Sequence, residues 1–216
     1  MRLASSLWIA LASTLPIPGC FEDIPTDETG AEPTGTGTQG TGDTSGTADD
    51  TADDSSGEAV DVCPEYCGLI QDVCTADRAQ YPSEAICLGV CAGLPPGSAE
   101  DQLGNSAGCR RFQAVQAAEA PDTFCGAAGP TGDGVCGAQC ESFCGLAQAL
   151  CTGDQAQWPD VPSCIADCMQ FPMDVPYDAS VVNGDSYACR TYHLTVAALD
   201  PGVHCPHIGL DSPVCV

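Results

Sequence analysis

Lysine is absent from this 216-residue sequence, and five arginines stand against 30 acidic residues, for a formal net charge of −25. So one-sided a charge excludes two polyanionic partners, nucleic acid and directly adsorbed anionic lipid. Long apolar runs are lacking too. The stretch from Leu3 to Pro18 is apolar with small residues, but it falls short of the roughly 20 residues that a membrane-spanning helix needs. No C-x-x-C occurs anywhere, which removes the spacing of zinc ribbons, thioredoxin-type redox pairs and covalent haem. From Pro25 to Ala59 there is no Val, Ile, Leu, Met or aromatic residue. That stretch has nothing to bury against its chain entropy and is expected to be disordered.

Cysteine is what the chain has in excess, with 17. A reducing cytosol would keep so many thiols reactive, so an oxidising compartment is expected. Met1-Arg2 and the apolar stretch have the proportions of a signal peptide over 1–19. It ends at Ile17-Pro18-Gly19-Cys20, which resembles a bacterial lipoprotein signal with Cys20 as the lipidated residue. Pro18 departs from the small residue usual at its position. Cysteine parity points the same way: setting Cys20 aside from 17 leaves 16, an even number able to pair completely. The expected location is therefore the cell envelope, at the outer membrane or cell surface, with the membrane as partner through the lipid. Residues 20–61 then form a tether, with twelve acidic residues between 21 and 61 and a composition of Thr, Gly, Asp and Ser. Its acidic clusters lack the fixed spacing of a calcium loop.

The remainder repeats. Cysteine intervals run 4, 7, 13, 4, 18, 16, 11 from Cys63 to Cys136, then 4, 7, 13, 4, 21, 16, 10 from Cys140 to Cys215. Other residues keep the register: Cys67-Gly68-Leu69 with Cys144-Gly145-Leu146, Cys109-Arg110 with Cys189-Arg190, Tyr81 with Trp158. Two modules are therefore expected, 62–138 and 139–216. Within each, C-x₃-C puts two cysteines one turn apart on one helix face. Pro64 suits a helix start; Ser83, Ser106 and Ser186 suit N-caps; Pro121 and Pro201 read as stops. The expected fold is small, disulfide-rich and mainly α, with about three helices per module and a disulfide-closed loop at the end.

Facing C-x₃-C pairs suggest Cys63–Cys91 and Cys67–Cys87, local closure suggests Cys125–Cys136, and Cys74–Cys109 is left over. The second module repeats this as Cys140–Cys168, Cys144–Cys164, Cys205–Cys215 and Cys151–Cys189. It is one of the 105 pairings that eight cysteines allow.

The repeats resemble cysteine-rich tandem-repeat lipoproteins of myxobacterial type, in which Cys-Arg-x-x-His and His-Cys-Pro-His recur. Here those are Cys189-Arg190-Thr191-Tyr192-His193 and His204-Cys205-Pro206-His207, within a likeness spanning 63–216. The first module has Gln113, Phe124 and Ala127 at the histidine positions. The resemblance implies export and anchoring, and no activity.

Candidate sites are few. His193, His204 and His207 are the only histidines, and three imidazoles suit zinc or copper if helix and loop converge. They are expected not to form a tight site, since no carbonyl or carboxylate that would fix their tautomers is identifiable. Gly104-Asn105-Ser106-Ala107-Gly108 matches the hydrolase nucleophile elbow without its strand or a nearby histidine, so Ser106 as helix cap is the simpler reading. The carboxylate pair Asp178 and Asp185 has no specific partner. Tyr81 and Trp158 read as core rings ahead of recognition anchors. No enzyme and no cofactor are expected; a tethered binding or structural protein with an envelope or extracellular ligand is, and metal capture is the alternative.

Overall fold

The computed structural model describes residues 61–216. The expected signal peptide at 1–19, Cys20 and the tether as far as residue 60 lie outside them. The described residues are mainly helical, with eight α-helices and no strand among them.

The first module contains α1 (Cys63–Val73), α2 (Glu84–Ala92), α3 (Ala107–Ala117) and α4 (Pro121–Ala128). The second contains α5 (Gln139–Leu150), α6 (Val161–Cys168), α7 (Tyr187–Val196) and α8 (Pro201–His204). Serine caps α2, α3 and α7: Ser83, Ser106 and Ser186 each accept a backbone N–H three residues on, satisfying a donor that the helix end leaves orphaned. Asp160 does the same for α6. Each module thus has four helices where three were expected, because Pro121 and Pro201 open helices instead of only closing them. A proline at the first position lacks an N–H the helix would not use, and its φ is already set.

That extra helix redirects the disulfides. Cys63–Cys91 and Cys67–Cys87 tie α1 to α2, and Cys140–Cys168 and Cys144–Cys164 tie α5 to α6. Four expected bridges are replaced. Instead of Cys74–Cys109 and Cys125–Cys136, the structure has Cys74–Cys125 and Cys109–Cys136. Instead of Cys151–Cys189 and Cys205–Cys215, it has Cys151–Cys205 and Cys189–Cys215. Local closure loses because α4 packs on α3 and α1, carrying Cys125 to the end of α1 and leaving Cys136 to return to α3. A bridge closing ~50 residues stabilises by about 4 kcal/mol in the chain-entropy model.

Arg110 and Arg190 explain the shared Cys-Arg pair. Buried Arg110 donates to the carbonyls of Ser106, Gly129 and Pro130 and to Asn105 Oδ1, at 2.9–3.1 Å. Arg190 donates to the carbonyls of Ser186, Gly209 and Cys215 and to Asp185, and its guanidinium lies 4.3 Å from the Phe171 ring centre. Each guanidinium ties the start of its helix to the closing loop of its module.

The modules do not stand apart. The described residues make one compact unit, and one apolar cluster runs from Val62 through Ile208. Tyr177 donates to the Gln80 carbonyl (2.9 Å) and Ala179 N to the Ala79 carbonyl (2.6 Å) across the boundary, while Tyr187 donates to the Gln139 carbonyl (3.0 Å) within the second module. Burial pushes both phenol pKa values up, so both rings stay neutral donors. Tyr81 and Trp158 are core residues, 2% and 7% exposed. Tyr66 donates to the Ala128 carbonyl (2.6 Å), which leaves Tyr81 to donate to Tyr66 (2.9 Å). No helix among the described residues is long and apolar enough to cross a membrane.

Candidate metal centre

The last turns of α7 and α8 bring three imidazoles together. His193 sits on α7, one turn after Cys189, and is 6% exposed. His204 ends α8, and His207 closes the 3₁₀ turn Cys205–His207; both are half-buried. His193 Nδ1 is 3.0 Å from His204 Nδ1 and 3.2 Å from His207 Nδ1. One ring nitrogen from each lies within 4.8 Å of the other two.

The sequence left open whether these segments meet and pointed away from a tight site; the structure brings the three rings together. Convergence follows from the corrected pairing: Cys205 is held to Cys151 at the end of α5, not to the C-terminal Cys215, and the residues around it therefore lie against α7. The missing tautomer partner is also present. His193 Nε2 lies 3.2 Å from the Val182 carbonyl, which can only accept, so Nε2 carries the proton and donates. In the neutral ring the Nδ1 lone pair then faces the other two histidines. Burial, more than the neighbouring rings, pushes the His193 pKa down to about 4, while the Val182 bond works in the opposite direction. His204 is also shifted down, again mainly by burial, with Asp200 opposing. Both shifts favour neutral rings, the form that binds metal.

Cys189 and Cys215 lie beside His193, within the same 4.8 Å. They are bonded to each other and offer no thiolate. The first module keeps the frame without the ligands. Gln113 takes the place of His193 and donates to the Gln102 carbonyl at 3.0 Å, as His193 does to Val182. Phe124 and Ala127 stand for His204 and His207 and line an apolar cavity of about 400 Å³ with Leu103, Phe112 and Val135.

The other sequence candidates separate. Ser106 caps α3, accepting from Cys109 N (3.1 Å) and donating to Asp101 (3.1 Å). Asp185 pairs with Arg190 at 2.9 Å, whereas Asp178 accepts from the backbone of Ser180 at 2.7 Å; they act separately. Sequence reasoning missed the Val182 carbonyl. Backbone groups leave no mark in composition, though the equal eleven-residue spacing of Gln102–Gln113 and Val182–His193 was visible.

A model of the BfoA family C-terminal domain matches residues 39–139 and again 137–213. No curated protein and no solved structure matches the chain. The two matches cover most of the chain, and it belongs to the BfoA C-terminal domain family.

Proposed function

We propose that this member of the BfoA C-terminal domain family is an exported cell-envelope lipoprotein, anchored through Cys20, that displays its two-module unit as a binding or structural surface protein. One observation carries the reading. All sixteen cysteines from Cys63 to Cys215 are joined in eight bridges, so of the 17 in the chain only Cys20 is left over. Such complete pairing suits an oxidising compartment, and a lone cysteine after an apolar leader suits lipidation. Acyl chains hold a membrane by burying CH₂ groups, each worth about 0.8 kcal/mol. The acidic, apolar-poor stretch to residue 60 then serves as a spacer that keeps the unit off an anionic surface.

The myxobacterial-type likeness belongs to this reading, as does the absence of catalysis: Ser106 is occupied as a cap, and the carboxylates serve turns and an arginine. The ligand is an envelope or extracellular molecule and not nucleic acid, given the charge of −25. Detergent phase partitioning of the protein from its native compartment tests the anchor. Cys20→Ser is expected to move it from the membrane fraction to the soluble one, and an unchanged membrane fraction would contradict the proposal.

A further inference from the structure

We infer that His193, His204 and His207 bind one zinc ion through three imidazole nitrogens, with a fourth position open to solvent.

The arrangement is poorly explained as packing alone. His193 Nε2 donates to Val182, so its Nδ1 presents one lone pair, and the Nδ1 atoms of His204 and His207 both crowd it at 3.0 and 3.2 Å. A single lone pair accepts one well-aimed hydrogen bond. The His193 and His204 rings meet edge to edge, centroids 5.3 Å apart and tilted by 26°, so one well-aimed bond uses up that lone pair, while His207, at 86° to His193, is left crowding it without one. Three nitrogen-rich edges therefore share a small space with at most one good bond among them. A cation resolves this by accepting all three lone pairs.

The size fits zinc. With zinc–nitrogen bonds of about 2.0–2.1 Å, nitrogens at neighbouring corners of a tetrahedron stand roughly 3.3–3.4 Å apart. The observed 3.0 and 3.2 Å need only a slight opening. His204 lies at the half-buried rim, and its ring must turn from its 3.0 Å contact with His193 to aim a lone pair at the shared point. Imidazole also discriminates against calcium and magnesium, which take oxygen ligands.

The fold does not require these histidines. Gln113, Phe124 and Ala127 occupy the same frame in the first module, and Gln113 makes the bond that His193 makes. Two His-lined turns in one module, absent from its twin, mark an addition to a scaffold that is complete without it. His193 holds its tautomer through the Val182 carbonyl, the kind of outer partner that typically governs 10–100-fold in affinity. Asp200, near His204, and the strongly acidic chain as a whole draw divalent cations toward the site.

The test is calorimetric titration of zinc chloride into the oxidised, metal-stripped full chain, with His193→Gln/His204→Phe/His207→Ala as the comparison. That triple variant transplants the first module's own residues. We expect one zinc per chain, weakened at least ~100-fold in the transplant, with the eight disulfides retained. His204→Ala and His207→Ala, both at the half-buried rim, should each weaken binding at least ~10-fold, and these two single variants decide the matter if the transplant fails to fold. No zinc uptake overturns the inference. So does uptake unchanged by the variants, since it would belong to surface carboxylates, and so does binding of copper(II) chloride without zinc.

Discussion

Two alanines of the first module lie where the second has something else, and both show how single side chains are tolerated on this scaffold. Ala127 stands for His207 at the metal-site frame, where either residue fits. Ala76 stands for Gly153, and there the substitution is not neutral: both adopt left-handed backbone, with φ of +56° and +57°. A Cβ in that region crowds the following carbonyl and costs roughly 1–2 kcal/mol. At Gly153 nothing lies within 4 Å of a built Cβ, so the strain in Ala76 is one of backbone and not of packing. Ala76→Gly is expected to stabilise the oxidised protein by about 1 kcal/mol, the gain from relieved strain outweighing the entropy glycine adds to the unfolded chain. Urea unfolding with disulfides intact measures it; a loss of stability would mean that Ala76 makes contacts that outweigh its backbone cost.

Helices and their connections show what was legible in the sequence. The C-x₃-C pairs of α1, α2, α5 and α6, the serine caps of α2, α3 and α7 and the repeat itself are local patterns, and a local pattern survives without tertiary information. Pro121 and Pro201 are ambiguous locally, since proline both ends one helix and opens the next. Four disulfides and the histidine convergence hinge on that one choice. Had α4 and α8 been coil, closure between neighbours in sequence would have been the natural pairing. The connection into α3 carries a further constraint. It is shorter than its counterpart, with 18 residues from Cys91 to Cys109 against 21 from Cys168 to Cys189. The chain passes so close to the first turn of α3 that a Cβ on Gly108 would lie 1.8 Å from the Ser98 carbonyl oxygen. The second module, with the longer connection, has a buried Ala188 at that place. Gly108→Ala should therefore destabilise by roughly 2 kcal/mol or more, the overpacking expected where backbone must move. Thermal melts of the variant check this, and an unchanged midpoint would show that the connection gives way freely.

At the scale of the whole molecule, the bridges and the shared core answer the same problem. A module of ~75 residues buries too little surface to be secure alone. Here each module carries four disulfides, and the two are joined through Tyr177, the Ala179–Ala79 backbone bond and one continuous apolar cluster. The pairing pattern is identical in the two copies: first cysteine to fifth, second to fourth, third to seventh, sixth to eighth. It places the last residues of each module against its third helix and, in the second, seats Cys205 where His204 and His207 meet His193. The fold, the site and the proposed compartment therefore all depend on this connectivity. Mass-spectrometric mapping of disulfide-linked peptides from protein recovered without reduction, alkylated beforehand, reads it directly. The prediction is linkage of Cys74 to Cys125 and of Cys151 to Cys205, with no alkylated cysteine from Cys63 onward; peptides linking Cys125 to Cys136 or Cys205 to Cys215, or several free thiols, would contradict the account.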